Sequence, residues 1–358
     1  MRNKIYHVIG FMSGTSLDGM DIAYCRFRYD NCSGWQYELL QACTIPYSRQ
    51  WKQRLSGLLS ATAEQYALTH VEYGHLIGQN IRHFIQENNL KVDFVASHGH
   101  TVFHQPERYF TAQIGEGAAI AAECNMPVIS DFRTMDVACG GQGAPLVPIG
   151  DKLLFGKYDY CLNIGGITNI SYDNDGERIA FDVSPANMAM NYFAEKTGKL
   201  YDKDGLMAKK GMLNQDMFQA LNALSYYRQA FPKSLGREWF EQCFLPIVLK
   251  YDDSIENILH TICHHIAYQL AQIVNKGSML ITGGGAKNKY LISLFKQYMP
   301  NVNMIIPDNM LIEYKEALVF AFLGVLRMQS KVNCLKSVTG AAKNVVGGAV
   351  YYNTKPAL

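Results

Sequence analysis

No pair of cysteines in this 358-residue chain is spaced as CxxC, and its nine cysteines are scattered and odd in number. That pattern argues against a disulfide framework and fits reduced thiols in a cytosol. Charge of one sign is also missing: 33 Lys and Arg stand against 31 Asp and Glu, a net of +2 with no basic or acidic tract. Neither nucleic acid nor a membrane surface is an expected partner. The longest apolar run, Ala317 to Leu326, falls far short of a bilayer span. Met1 to Gly10 carries Arg2 and Lys4 but runs straight into a polar turn, so no signal peptide is expected there. GxxxxGK[ST] is absent, which excludes a P-loop, and neither the GxGxxG of a dinucleotide site nor a protein-kinase signature occurs. No linker or low-complexity segment divides the chain.

What is present suits a large α/β enzyme. Hydrophobic residues make up 48% of a chain longer than one core usually supports, so two domains are expected, divided near Asp151 into 1–150 and 151–358. Two strand-like runs, Tyr6 to Phe11 and Asp21 to Phe27, flank the segment Ser13-Gly14-Thr15-Ser16-Leu17-Asp18-Gly19-Met20-Asp21. A glycine-rich hairpin turn of this kind can grip phosphate: the backbone comes close, N–H groups form a nest, and Ser13, Thr15 and Ser16 add hydroxyl donors. Asp18 supplies a carboxylate suited to holding magnesium through its water shell. Downstream, the apolar positions from Leu68 to Ile85 recur at helical intervals and predict a helix over 65–89. Asp93 to Ser97 reads as a buried strand and Ser97 to Val102 as a loop at its end, where functional residues of α/β folds gather. Three glycines and two prolines among the nine residues Gly140 to Pro148 exclude regular structure there.

The second half echoes the first. Tyr158 to Asn163 and Ile167 to Tyr172 are strand-like around Gly165-Gly166, a second glycine hairpin that suggests an old duplication. A helix through Ile258 to Ile273 precedes a strand at Ser278 to Thr282, the loop Gly283-Gly284-Gly285 and a further helix through Leu291 to Tyr298, the order a nucleotide crevice requires. Three glycine turns at strand ends, without a P-loop, resemble the actin, hexokinase and Hsp70 ATPase superfamily. That resemblance implies two actin-like (ribonuclease H-like) lobes with an interlobe cleft for nucleotide and sugar.

A closer resemblance covers the chain nearly end to end. GFMSGTSLDGMD at 10–21, SHGHTVFHQP at 97–106, DFRTMDVACGGQGAPLVP at 131–148, NIGGITNI at 163–170, FDVSPANM at 181–188, PKSLGREWF at 232–240, TGGGAKN at 282–288 and EALVFAFLG at 316–324 resemble the anhydro-N-acetylmuramic acid kinase family. The resemblance implies a cytosolic, magnesium-dependent enzyme of cell-wall recycling, a homodimer in that family. It would use ATP and water to convert 1,6-anhydro-N-acetylmuramic acid into N-acetylmuramic acid 6-phosphate and ADP. It implies Asp182, the aspartate of FDxxPxN, as the base that activates water, ionised by default with a pKa of ~4. Nucleotide contacts are implied for residues 13–21, Gly165, Gly166, Asn187, Gly283, Gly284, Gly285 and Asn288, and sugar contacts for His98, Arg133, Gln142 and Glu316. Arg133 reads as a fork for the substrate's lactyl carboxylate or ring oxygens, with a salt bridge to Asp131 or Asp136 the alternative. Glu316 heads an apolar helix, where dipole stabilisation alone could explain a carboxylate. His98, His100 and His104 invite a zinc reading, but sugar recognition or loop hydrogen bonding fits them better. The chain departs from the family pattern at His100, where SHGQT is usual, at Val183, Ser184 and Ala186 within FDTGPGN, and at Leu235 within PKSTGRE. Ser184 and Ala186 add Cβ atoms where a ligand is expected to approach. Two other readings remain: a superfamily kinase for another sugar without ring hydrolysis, and a catalytically weak binding regulator.

Overall fold

The computed structural model describes residues 4–14 and 17–353. Its contacts divide the chain into two compact units, Met1–Leu154 with Tyr314–Leu358, and Phe155–Glu313. The first crossing lies close to the expected division, whereas the segment from Tyr314 onward, expected with the second half, packs with the first unit. The reason is hydrophobic: Ala317, Leu318, Val319, Phe320, Ala321, Phe322, Leu323, Val325 and Leu326 are each at most 1% exposed. A helix apolar on every side must be enclosed.

In the first unit, β1 (Ile5–Ser13), β2 (Gly19–Asp30) and β3 (Gly34–Pro46) form an antiparallel meander. Next to β1 lie β4 (Phe94–Gln105) and β6 (Val128–Ser130), both parallel to it in sense. β12 (Ala349–Tyr351) closes that edge antiparallel to β6, and β5 (Phe110–Ile114) pairs with the outer half of β4. The helix Ala63–Glu87 begins two residues before the expected start because Thr62 and Gln65 make a reciprocal capping box. The helix Asn309–Met328 lies so close to β1 that a Cβ on Gly10 would stand 1.9 Å from the Ala317 carbonyl oxygen.

One expected element is corrected. Residues 97–102 are not a loop: β4 runs on through Gln105, because β5 turns back to supply a new antiparallel partner from His100 onward. Gly99, at φ +73°, absorbs the bend. The segment Gly140 to Val147 has no regular structure, as its composition dictates, and a short helix starts at Pro148.

The second unit repeats the plan. β7 (Tyr160–Ile164), β8 (Ile167–Asn174) and β9 (Glu177–Pro185) form an antiparallel meander, and β10 (Gly277–Thr282) and β11 (Val302–Ile305) extend it in parallel from β7. The sheet orders β6-β4-β1-β2-β3 and β11-β10-β7-β8-β9 are therefore the same. An echo visible in sequence as two glycine hairpins extends to each whole sheet. Beneath this second sheet the helix Ile255–Ala271, capped by Ser254, buries Ile258, Leu259, Ile262, Ile266 and Leu270 in a core of its own.

Candidate active site

In the first unit the hairpin turn joins β1 to β2. Thr15 and Ser16 lie outside the described residues. Leu17 has φ +56°, a left-handed conformation that is strained for leucine, and Leu17 N–H points back to the Gly14 carbonyl at 3.4 Å. Asp18 is exposed on this turn. Several neighbours are engaged elsewhere. Met20 is 2% exposed and belongs to the core, and Leu17 packs against the same cluster. Gly19 is small because β3 passes close by, leaving its Cβ position 2.7 Å from Thr44 Cγ2. Asp21 Oδ1 accepts from Thr44 Oγ1 at 2.6 Å. Ser13 is buried, its hydroxyl 2.6 Å from the Tyr47 hydroxyl and 3.1 Å from His100 Nδ1, and Tyr47 bonds in turn to Tyr73. The hydroxyl expected for phosphate thus anchors the hairpin to its own core.

The expected sugar-side residues His98, Arg133 and Glu316 come together in this unit. Arg133 Nε donates to His98 Nε2 at 3.0 Å, which fixes the histidine proton on Nδ1, from where it reaches the Gly99 carbonyl at 3.0 Å. Burial first and the Arg133 charge second hold the His98 pKa well below the ordinary value. With both ring nitrogens engaged, His98 orients Arg133 rather than reaching out itself. Arg133 Nη1 donates to the Gly143 carbonyl at 2.7 Å, and the loop carrying Gly143 is tied by Asp136 Oδ2, which accepts from Gly143 N–H at 2.8 Å. Asp136 also accepts from Thr339 Oγ1 at 2.8 Å and Cys334 Sγ at 3.0 Å, and Asp131 accepts from Thr134. Neither aspartate forms the salt bridge to Arg133 weighed above. Burial lowers the guanidinium to about 10, and the Glu316 charge opposes the shift. Glu316 heads the apolar part of its helix. The helix begins at Asn309, Tyr314 interrupts it at φ −111° and ψ 15°, and Glu316 follows the break. Desolvation raises its carboxyl while Arg133 and Lys315 pull it down. Gln142 presents an exposed side chain, and its N–H is held by the Thr339 carbonyl at 2.8 Å. Among the described residues no group of three or more His, Cys, Asp or Glu side chains is placed to hold a metal ion. His100 and His104 instead bond to Ser13 and, at 3.0 Å, to Thr111 Oγ1.

In the second unit the glycine hairpin, Asn187 and the Gly283–Gly285 loop converge. The Gly165 carbonyl accepts from Asn187 N–H at 3.1 Å, and the Gly166 carbonyl accepts from Ala186 and Met188 N–H at 2.8 and 3.0 Å. Asn187 Nδ2 donates to the Ile164 carbonyl at 3.3 Å. Gly283 has φ +80°, and a Cβ on Gly285 would meet Ile164 Cγ2 at 2.2 Å and Asn187 Oδ1 at 3.1 Å. By contrast, Cβ atoms on Gly165, Gly166 and Gly284 would meet nothing closer than 3.5, 3.7 and 3.9 Å. The fold itself does not require those three glycines. Asn288 is buried, and its Oδ1 accepts from Leu291 N–H at 3.0 Å, so it caps the Lys289–Tyr298 helix instead of facing a ligand.

Asp182 lies inside β9, just before an irregularity that shifts the register from Asn169↔Asp182 to Thr168↔Ser184. Its Oδ2 accepts from Leu235 N–H at 2.8 Å, its N–H donates to the Lys233 carbonyl at 3.3 Å, and its carbonyl accepts from the Tyr226 hydroxyl at 2.7 Å. Burial raises its pKa to about 6 against the opposing Leu235 hydrogen bond, so the ordinary value near 4 expected from sequence is corrected. Val183, Ser184 and Ala186 are 3%, 0% and 0% exposed: their extra atoms are enclosed in the unit, not projected toward a ligand. Tyr226 and Lys233 were assigned no role from sequence. Lys233 stood inside a quoted motif, but only the fold shows that motif docked on the aspartate.

Two families of comparison bear on this arrangement. A family model described as anhydro-N-acetylmuramic acid kinase matches residues 6–353. The anhydro-N-acetylmuramic acid kinases of Clostridioides difficile and Aliivibrio fischeri are each 34% identical to the chain, covering 96% of it and 97% and 98% of their own lengths. Among solved structures, the activator of 2-hydroxyisocaproyl-CoA dehydratase from Clostridium difficile with bound ADPNP aligns over 90% of this chain and 97% of its own at 13% identity, TM-score 0.41. A ROK family glucokinase from Streptomyces griseus in complex with glucose and AMPPNP aligns over 90% of this chain and 98% of its own at 9% identity, TM-score 0.37. Since the model and the relatives run nearly end to end, through both glycine hairpins, the Arg133 loop and the Asp182 strand, the chain belongs to the anhydro-N-acetylmuramic acid kinase family.

Proposed function

We propose that this protein phosphorylates 1,6-anhydro-N-acetylmuramic acid at O6 with ATP while water opens the anhydro ring at C1, yielding N-acetylmuramic acid 6-phosphate and ADP. One observation carries the catalytic part: Asp182 has one carboxylate oxygen fixed by Leu235 N–H and a pKa lifted to about 6 by burial. A raised pKa makes a stronger proton acceptor that is still ionised at neutral pH. Asp182 takes a proton from the attacking water, the water oxygen bonds to C1, the C1–O6 bond breaks, and O6 bonds to the γ-phosphorus as ADP leaves. Because phosphorus captures the departing oxygen, no second carboxyl need protonate it, unlike an ordinary glycosidase.

Gly165, Gly166 and Gly284, which the fold leaves uncrowded, suit the close approach of a nucleotide, with Asn187 beside them. Arg133, oriented by His98 and the Gly143 carbonyl, is the fork for the sugar's carboxylate, with Glu316 and Gln142 as further polar contacts. Asp18, a single exposed carboxylate on the turn, suits magnesium held through its waters and the nucleotide's phosphates rather than in a protein cage. Bound there, the ion would neutralise phosphate charge. Among the described residues no helix is long and apolar enough to cross a membrane; a cytosolic homodimer completes the reading. Turnover in 18O-labelled water tests it: label at C1 of the phosphorylated product is expected, and a phosphorylated product without label would leave a sugar kinase lacking the hydrolytic step.

A further inference from the structure

β9 is an edge strand of its sheet, and the outward N–H and C=O groups of an edge need partners from elsewhere in the chain. At Asp182 one segment supplies them. The Lys233 carbonyl accepts from the Asp182 N–H at 3.3 Å, the Tyr226 hydroxyl donates to the Asp182 carbonyl at 2.7 Å, and the Leu235 N–H donates to Oδ2 at 2.8 Å. The peptide planes on both sides of the Asp182 Cα are therefore held, and so is the end of its side chain. The carbonyl bond falls where the ladder gives least guidance, because directly after Asp182 the register with β8 skips Val183. A bulge can re-aim a side chain, but its extra residue has no ladder partner. A group outside the ladder must then fix the peptide plane that enters it.

Tyr226 is built for that task. It is 3% exposed, and its ring centre lies 5.3 Å from that of Trp239 and 5.6 Å from that of Tyr227, so the hydroxyl is placed by packing. Burial first and the Asp182 charge second raise its phenol above the ordinary value, which keeps the hydroxyl protonated and donating. We propose that Tyr226 is a positioning residue of the reaction: through its hydroxyl the segment 226–235 sets the backbone at Asp182 and so the direction in which the carboxylate meets the attacking water. This rests on the assignment of Asp182 as the base. The next residue supplies a matched control. The Tyr227 hydroxyl makes a bond of nearly equal length, 2.8 Å, but to His265 Nε2 on the Ile255–Ala271 helix. Each hydroxyl contributes one hydrogen bond within the same aromatic cluster, and only one of those bonds leads to the base.

The test compares full-length Tyr226→Phe and Tyr227→Phe in steady-state kinetics with ATP and 1,6-anhydro-N-acetylmuramic acid across pH. Tyr226→Phe should lower kcat by about 10- to 100-fold, the loss that follows a misplacement of about 1 Å, with KM for both substrates near parental. Its acidic limb of kcat/KM should also move to higher pH, since the Leu235 hydrogen bond that opposes burial at Asp182 is weakened. Tyr227→Phe should lower the melting temperature similarly while keeping parental kcat. A folded Tyr226→Phe with parental kcat overturns the proposal, as do equal losses of kcat in the two variants. Asp182→Asn in parallel separates the two assignments: an inactive Asp182→Asn beside an unaffected Tyr226→Phe removes only the positioning role, whereas an active Asp182→Asn removes the base itself. Should Tyr226→Phe fold poorly, Leu235→Pro tests the same segment from its other end, where residues 233–236 have no regular structure for a proline to break. Loss of that N–H should carry the acidic limb upward from about 6, and an unmoved limb refutes the proposal.

Discussion

Asp182 ties mechanism to stability through one number. With a pKa of about 6 in the unliganded protein, the acidic limb of kcat/KM against pH should fall through about 6 rather than near 4. The same shift has a defined thermodynamic sign. The folded-state value lies above the unfolded one, so the contribution to stability is complete below the unfolded pKa and lost as pH rises through about 6. Asp182→Asn should therefore abolish turnover, leave ATP and sugar binding largely intact, and raise stability at pH 8 by about 1–3 kcal/mol, an advantage that shrinks to about 0.6 kcal/mol or less at pH 4. Calorimetry at the two pH values reads the stability term, and isothermal titration reads binding. His98 and Arg133 offer a second test at this scale. If His98 acts only by orienting Arg133, a double-mutant cycle of His98→Phe and Arg133→Ala on sugar affinity should be non-additive by about 0.5–3 kcal/mol; additive losses would assign the two residues separate contacts. Motif matching named both residues but could not separate their roles. That separation needs the donor geometry, in which an arginine that can only donate forces the histidine tautomer.

At the level of elements, glycines sort into those the fold demands and those it does not. Gly285→Ala should lower the melting temperature, since its Cβ would stand 2.2 Å from Ile164 Cγ2. Gly165→Ala should leave it unchanged to within about 0.5 kcal/mol of stability, as at any uncrowded site, yet raise KM for ATP if the nucleotide approaches there. Thermal melting beside ATP kinetics decides; a Gly165→Ala protein with parental KM for ATP would remove that hairpin from the nucleotide site. The elements themselves were largely legible. Helix Ala63–Glu87, both hairpins and the β10 to Gly283–Gly285 loop follow from periodicity and turn residues, which act locally. A misreading arose where a distant partner decided the outcome: β4 continues past Ser97 only because β5 returns to it. Likewise, nothing near Asn288 in sequence shows that its amide is committed to a helix cap.

For the whole molecule, the decisive feature is that one unit is contiguous in sequence and the other is not. Phe155–Glu313 contains β7 to β11 and a core drawn from its own residues, with Phe193, Phe244, Ile262, Ile266 and Phe295 at most 1% exposed. The other unit needs both chain ends. Gly10 and Gly324 are cut back to glycine where the Asn309–Met328 helix presses on β1 and β4: Cβ atoms there would stand 1.9 Å from the Ala317 carbonyl oxygen and 2.7 Å from Ala96 Cβ. Asp136 is 0% exposed and takes two of its hydrogen bonds from Cys334 and Thr339. Residues 1–154 alone would expose the sheet face that this helix covers and leave a buried carboxylate short of donors, each loss large against a domain stability of about 5–15 kcal/mol. Expressed separately, 155–313 should therefore be soluble and melt in one cooperative transition, whereas 1–154 should show no cooperative melting until 314–353 is joined to it through a flexible linker. Circular dichroism melting of the three fragments checks this. Cooperative unfolding of 1–154 on its own would mean that the C-terminal helix and β12 decorate a finished domain rather than complete one.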